Sequence, residues 1–260
     1  RRPREHLRVP DGARARTWPV NGLVYRLTLR ILLRGRRPLG LAILPLLAVL
    51  LAILDRALRT STTAETRYAS LAETLFLSTV VAIVGLVLGA SSIGDERDDG
   101  SILHLVATPI PRGRIIASKL AAAWTAVLVL CAPALAACIA IGLGGATTAR
   151  AVLWSVAALA LCGAAYSALF LVLALVSGRP VLIGLVYVVL WEGSVATFAP
   201  QANWLSIGAY GRAMIAEGLP SANHANVPSI SGAGSVLVLV IATALLAVLA
   251  TNRLSRVELP

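Results

Sequence analysis

Charged residues are scarce in this chain of 260 residues: they make up 13% of it, against 58% hydrophobic residues. A soluble domain of this length carries about a quarter charged residues, so the composition excludes an ordinary water-soluble fold. Lysine occurs once, at Lys119. A P-loop for ATP needs a glycine-rich run that ends in Gly-Lys-Ser or Gly-Lys-Thr. Because Lys119 stands between Ser118 and Leu120, the sequence excludes an ATP site of this type.

Residues that carry catalytic or metal chemistry are also few. The histidines His6, His104 and His224 are far apart, and we find no HExxH motif, no paired catalytic carboxylates and no Ser-His-Asp set. The three cysteines lie in apolar stretches without a CxxC or Cys/His pairing, which favours buried packing over a disulfide or a metal site. We therefore expect a chain that is not an enzyme and that holds no cofactor or metal of its own.

Basic residues outnumber acidic residues, 23 against 12, and eleven arginines precede residue 38. Arginines concentrated at one end of an apolar chain are typical of contact with an anionic membrane face rather than with nucleic acid. We therefore expect membrane lipids, and no nucleic acid, as partners of this segment.

Six apolar segments are candidates for transmembrane helices, which need about 20 largely apolar residues. They are residues 38–54, 74–93, 120–149, 151–178, 181–199 and 235–251. The sequence thus predicts an all-α membrane protein with six transmembrane helices. Residues 1–37 form a basic arm and an interfacial helix, and residues 252–260 form a tail. The transmembrane domain between them, residues 38–251, contains a cytoplasmic loop at 94–114 and an outer loop at 200–234.

The distribution of basic residues orients this fold, because cytoplasmic connections hold an excess of lysine and arginine. With the N-terminus in the cytoplasm, eighteen basic residues lie on the inner side and five on the outer side. We therefore predict that both termini are cytoplasmic.

The stretch 18–37 has the pattern of an amphipathic helix. One face carries arginines at helical spacing, and another carries aliphatic residues. The arginines are Arg26, Arg30, Arg34 and Arg37, and the aliphatic residues are Val20, Leu23, Val24, Leu27 and Ile31. Such a helix lies in the membrane interface with its arginines toward the lipid phosphates. A solvated basic tail is the alternative interpretation.

The loop 94–114 reads GDERDDGSILHLVATPIPRGR. Its four acids precede a short apolar helix, where carboxylates suit the positive helix end and cap its free amides. Pro109 ends that helix. Two helical turns that expose Ile102, Leu103 and Leu105 are not stable alone, so the pattern predicts a groove on a soluble partner protein. The alternative interpretation is a solvated linker.

This loop resembles the first cytoplasmic loop of permease subunits of ABC transporters of the type 2 family. His104 and the pair Val106-Ala107 depart from the family pattern. The resemblance implies a coupling helix that docks on a separate ATPase subunit. The residues that match the motif are Glu96, Arg97, Asp98, Gly100, Ser101, Leu103, Leu105, Thr108, Pro109, Arg112 and Lys119.

The resemblance also implies an exporter in the bacterial cytoplasmic membrane. Its expected partners are two copies of the ATPase, which hold ATP and Mg²⁺, and a second permease copy or a paralogue. An apolar pathway would suit a lipophilic or amphiphilic substrate. The alternative is a non-ABC membrane protein, such as a secondary transporter or an assembly factor. A carrier of that kind should show several intramembrane charges and often repeated halves.

Glu192 is the single acid of the fifth segment and lies about 17 Å from its cytoplasmic end. An ionisable group at that depth is costly and usually faces a cavity or a partner, which makes Glu192, with Tyr187 and Trp191 nearby, a candidate for the transport pathway. The alternative is a structural hydrogen bond to a neighbouring hydroxyl group, or contact with water on the outer side.

Two glycines of the second segment, Gly85 and Gly89, are spaced for close helix packing. The sequence leaves open whether this face packs within one subunit or across a dimer.

Overall fold

The computed structural model of the protein describes residues 20–34, 37–58, 63–98, 111–195, 200–224 and 227–255. In these ranges the chain is helical and contains no strand, so the predicted all-α class is confirmed.

Eight helices follow one another in the part of the chain that the structure describes. They are α1 (Gly22–Leu33), α2 (Arg37–Leu58), α3 (Ala64–Ser70, Leu71–Val81 and Ala82–Asp98), α4 (Arg112–Gly142), α5 (Ala149–Val176), α6 (Pro180–Val186 and Tyr187–Val195), α7 (Ile207–Gly218) and α8 (Gly232–Ser255). The middle part of α3 and the second part of α6 are π-helical. Short 3₁₀ turns occupy Gly144–Ala146 and Pro200–Leu205.

Five of these helices are long and apolar enough to cross a membrane, and the apolar part of α6, Pro180–Gly193, is shorter. The five are Pro38–Leu58, Ala64–Gly94, Arg112–Gly142, Ala149–Val176 and Gly232–Leu254. The helical membrane fold is thus confirmed, whereas a sixth full-length span and the side of the membrane on which the termini lie stay predictions.

The helix α3 begins ten residues before the predicted start at residue 74. Thr63 caps it, because its side chain accepts a hydrogen bond from the amide of Thr66. Glu65, Arg67 and Glu73 lower the hydropathy of this stretch, so an apolar search misses the first turns. For the same reason α4 begins at Arg112 rather than at Leu120.

The centre of the fold is α5, which packs against α3, α4, α7 and α8. Its contact with α3 is close because glycines on α3 leave room for bulky residues. A Cβ added at Gly85 would lie 2.9 Å from the Cβ of Tyr166, and one at Gly89 would lie 2.8 Å from the carbonyl oxygen of Ser167. This small-residue face of α3 therefore packs within the chain.

The helix α1 begins at Asn21, whose side chain accepts a hydrogen bond from the amide of Leu23. Three stripes run along it at four-residue spacing. Val24, Thr28 and Leu32 are buried, Leu23, Leu27 and Ile31 are exposed, and Arg26, Arg30 and Arg34 are exposed as well. The buried stripe accounts for the packing of α1 on α4. It includes Val24, which the sequence pattern assigns to the aliphatic face. The contact of the exposed arginines with the membrane surface stays a prediction. Arg37 begins α2, and its side chain lies outside the described part.

The helix α7 reaches only halfway along α5. A Cβ added at Gly218, its last residue, would lie 3.4 Å from the Cα of Ala151, near the start of α5. At the other end, the carbonyl oxygen of Ile207 accepts a hydrogen bond from the thiol of Cys162, midway along α5. Nine of the 12 residues of α7 are buried, so α7 is a half-length helix set into the bundle.

Candidate functional site

The two π-helical segments of the structure each hold one buried acid, Glu73 in α3 and Glu192 in α6. Their side chains are 2% and 3% exposed. π-Helical turns are rare in proteins and frequently mark functional sites. Both acids contact the region of α7, and together with it they form the polar site of the fold.

Glu192 holds the N-terminus of α7. Its Oε1 accepts hydrogen bonds from the amides of Ile207 and Gly208, at 3.0 and 3.4 Å. Its Oε2 accepts a hydrogen bond of 2.6 Å from the hydroxyl group of Ser206. The first amides of a helix have no partner within the helix and carry its partial positive charge, so a carboxylate is suited to this position. Among the predicted pathway residues, Tyr187 also donates to Glu192, over 3.2 Å.

Glycine at position 208 makes this contact possible. A Cβ added at Gly208 would lie 2.5 Å from the Oγ of Ser78 and 2.8 Å from the Oε2 of Glu192. Real Cβ atoms essentially never approach other atoms so closely. The N-terminus of α7 therefore fits between α3 and α6 only without a side chain at this position.

Arg212 is a buried cation in the middle of α7. Its guanidinium donates to the Oγ of Ser78 at 3.2 Å and to the Oδ1 of Asn203 at 3.4 Å. The hydroxyl group of Ser78 in turn donates to the carbonyl oxygen of Glu73, and the charge of Arg212 acts on Glu73. Arg212 thus supplies positive charge to the site, as buried carboxylates require.

Glu73 pairs with His224, which follows α7. One oxygen of Glu73 lies within hydrogen-bonding distance of His224 Nδ1, and His224 Nε2 lies 2.8 Å from the carbonyl oxygen of Leu219. That carbonyl oxygen only accepts hydrogen bonds, so Nε2 carries a proton. The pair holds the end of α7 against α3.

The arrangement positions α7 and leaves little of the site free for a ligand. In the described ranges, no group of three or more His, Cys, Asp or Glu residues could hold a metal ion. Trp191, the third predicted pathway residue, is half-buried, and its indole nitrogen has no hydrogen-bond partner among the described residues. Glu192 itself is surrounded by donors, which matches the structural alternative stated for it above.

The predicted coupling residues lie only partly within the described structure. Residues 99–110, which include Gly100, Ser101, Leu103, Leu105, Thr108 and Pro109, are outside it. Glu96, Arg97 and Asp98 end α3, and nothing is described of their side chains. Arg112 begins α4. Lys119 is buried in α4, and its Nζ donates a hydrogen bond of 2.7 Å to the carbonyl oxygen of Ser92 in α3.

Sequence reasoning missed Glu73, Arg212, His224 and Ser206. Glu73 directly precedes the second apolar segment, so it reads as a residue of the connection. The others lie in the predicted outer loop 200–234, where polar residues are expected and do not indicate a site. One signal was present in the sequence: the repeated glycines of Gly208 and Gly211 indicate a helix that packs closely on its neighbours.

Residues 36–191, more than half of the chain, match the family described as ABC-2 family transporter protein. The chain belongs to the ABC-2 family. A comparison with curated proteins finds no match. The ABC-2 match confirms the family that the sequence predicts and identifies a multi-pass membrane protein, the permease subunit of an ABC transporter. The coupling role of the loop 94–114 stays a prediction. The matched range ends one residue before Glu192. Glu192 and α7 therefore lie outside the part of this ABC-2 permease that the family model covers.

Proposed function

We propose that this ABC-2 permease couples ATP hydrolysis by a separate ATPase subunit to the export of a lipophilic or amphiphilic substrate. Two permease copies, or one copy and a paralogue, assemble with two ATPase copies in the bacterial cytoplasmic membrane. ATP and Mg²⁺ bind to the ATPase. The permease supplies the membrane path and the docking loop.

The observation that carries the proposal is the contact between Lys119 and Ser92 at the base of the loop. Both residues are buried, and their 2.7 Å hydrogen bond joins α4 to α3. These two helices flank residues 99–110. A force applied to the loop therefore moves the two helix ends together rather than spreading them apart.

The helix α3 extends from this contact to the polar site. It runs without a break through residues 64–98, and its π-helical part carries Glu73 and Ser78. Ser78 and Glu73 contact Arg212 and His224, which belong to α7 and its following turn. Packed helices move as rigid elements with discrete arrangements, so α3 supports a path from the ATPase side of the permease to α7.

The test replaces Leu103 and Leu105 together by aspartate and measures co-purification of the separate ATPase subunit. A docking helix presents apolar residues to its groove. Burial of two unpaired carboxylates in that groove costs on the order of several kcal/mol, which is enough to abolish binding. We expect the unmodified chain to retain the ATPase and the double variant to lose it.

The control is a double variant with the same added charge beyond the far end of α4, Gly145→Asp in the connection to α5 with Ala149→Asp at the start of α5. Both positions are exposed, and no atom lies within 4 Å of a Cβ added at Gly145. This control should retain the ATPase. Retention by the Leu103 and Leu105 variant as well would contradict the assignment of the docking loop.

A further inference from the structure

A groove lies between α3 and α6 at the end of the bundle that is predicted to face the cytoplasm. Its volume is about 480 Å³, within the range of small-molecule sites. One wall carries the small residues Ala90, Ser91 and Gly94, and the other carries Val181, Leu182 and Leu185. Arg179 and Pro180 complete the lining.

The groove exists because α3 and α6 are in contact at Gly184 and separate toward Arg179. A Cβ added at Gly184 would lie 2.2 Å from a methyl group of Leu86 and 3.0 Å from the ring of Phe170, so α6 is in close contact with α3 and α5 at this level. Toward Arg179 the contact ends. No atom lies within 4 Å of a Cβ added at Gly94, which marks the open space.

The chemistry of the lining changes along the groove. Leu182 and its neighbours on α6 are about half exposed, and they offer an aliphatic wall to a hydrocarbon chain. Arg179 is exposed at the open end, and its guanidinium makes no hydrogen bond or ion pair with any residue that the structure describes. Among the described residues of the lining, Arg179 is the charged one and none is an acid. The aliphatic wall and this cation together suit one class of ligand.

We propose that this groove binds a lipid with an anionic headgroup, and that this lipid class is the cargo that the permease takes from the cytoplasmic leaflet. The headgroup binds Arg179, and an acyl chain lies along Leu182 and Leu185. The groove then ends at Gly184, one turn below Tyr187 and the polar site, so a bound lipid is in contact with the helix that carries Glu192. The cargo part rests on the proposed exporter function.

The experiment uses a fluorescent thiol label at Leu182→Cys in the full chain, reconstituted in vesicles. The native cysteines Cys131, Cys138 and Cys162 are at most 2% exposed, so the introduced thiol is labelled selectively. Quenching is compared between nitroxide-labelled phosphatidylglycerol and nitroxide-labelled phosphatidylcholine at equal mole fraction. One arginine near an anionic headgroup favours that lipid about fivefold, and this preference should disappear in Arg179→Gln.

A matched control distinguishes a groove from an ordinary helix end. Leu249 of α8 is also about half exposed and lies one turn from the exposed Arg253, but it does not belong to the described lining of this groove. The label at Leu249→Cys should show a much smaller preference.

A second variant, Ser91→Leu, fills the groove and keeps Arg179, and it should also remove the preference at Leu182. Equal preference at both positions, or no preference at Leu182, overturns the site. Absence of quenching by either lipid shows a covering protein segment or second copy and overturns it as well.

The cargo is tested on the complex with its ATPase. ATP turnover should be faster in phosphatidylglycerol than in phosphatidylcholine vesicles, and Arg179→Gln should remove the difference. An equal rate of ATP turnover in the two kinds of vesicle overturns the cargo assignment, even if the groove binds lipid. The quenching measurement needs no ATPase. If no ATPase co-purifies, the proposed function fails, and the quenching result still decides whether the groove binds.

Discussion

Ser206 and Glu192 are joined by a hydrogen bond of 2.6 Å that closes the break between α6 and α7. The same Ser206 hydroxyl accepts a hydrogen bond from the amide of Ala209, so one side chain caps α7 and links it to the buried acid. A helix that begins inside a bundle has amides to satisfy without water. Glu192 and Ser206 meet that requirement, and the stability of α7 therefore depends on them.

Removal of the Glu192 carboxylate should release α7. Glu192→Ala leaves the amides of Ile207 and Gly208 without their partner, at about 1–3 kcal/mol for each buried group. Glu192→Gln keeps one acceptor oxygen and should lose less, and it should also reduce transport while it leaves assembly intact. Unchanged transport in Glu192→Gln would remove Glu192 from the mechanism.

The position of α7 can be read from Cys162, which lies against Ile207 and Gly211. In a chain with Cys131→Ala and Cys138→Ala, Cys162 is the remaining thiol. Its reaction with a maleimide should be slow, faster in Glu192→Gln and fastest in Glu192→Ala. Equal rates in all three would show that Glu192 does not anchor α7.

A methyl group at position 208 should destabilise the fold. Gly208→Ala forces Ser78 or Glu192 to move, and overpacking of this kind costs about 1–3 kcal/mol. Gly40→Ala is the matched control, because no atom lies within 4 Å of its added Cβ and alanine is favoured in a helix by about 1 kcal/mol. Thermal unfolding in detergent should show a lower midpoint for Gly208→Ala than for the unmodified chain. Gly40→Ala should not lower the midpoint. A midpoint that is equal in the two variants contradicts the close contact.

The pair Glu73 and His224 should be energetically coupled. Each single change, Glu73→Ala or His224→Ala, leaves a buried partner without its hydrogen bond, and the double variant leaves neither. A double-mutant cycle on the free energy of unfolding should therefore give a coupling of about 1–3 kcal/mol. Additive effects would show that the two side chains do not interact in the membrane.

The contact of Lys119 with Ser92 should matter for coupling more than for docking. Lys119→Met keeps the length of the side chain and loses its donor, which should cost about 1–3 kcal/mol of stability. The ATPase should still co-purify, while substrate-stimulated ATP turnover falls. Arg114→Met, on the same helix and partly exposed, is the control and should change little. A loss of ATPase binding in Lys119→Met alone would instead assign Lys119 to the docking surface.

Much of the fold could be predicted from the sequence because apolar length is a strong signal. The segments predicted at 38–54, 120–149, 151–178 and 235–251 overlap α2, α4, α5 and α8, with ends that differ by up to eight residues. The start of α3 was missed since Glu65 and Glu73 interrupt its hydropathy. In the structure, Glu73 is buried and paired with His224, a compensation that depends on a residue about 150 positions later.

The polar site was predictable only in part. Glu192 is predictable because a lone acid in an apolar segment is costly, and Tyr187 lies in the same stretch. The donors that surround Glu192 come from residues 206–208, whose approach depends on the half-length α7. Hydropathy reveals neither a helix of 12 residues among loop residues nor the π-helical turns that carry the two acids.

The close packing of Gly85 and Gly89 on α5 limits how two copies of this chain can meet. That face of α3 already lies against Tyr166 and Ser167, so it has no surface left to offer a neighbouring molecule. The outward aliphatic rows of α2 and α8, for example Leu50 and Leu245, lie on the perimeter instead. Cysteine cross-links between protomers should therefore form from perimeter positions and fail from the glycine face.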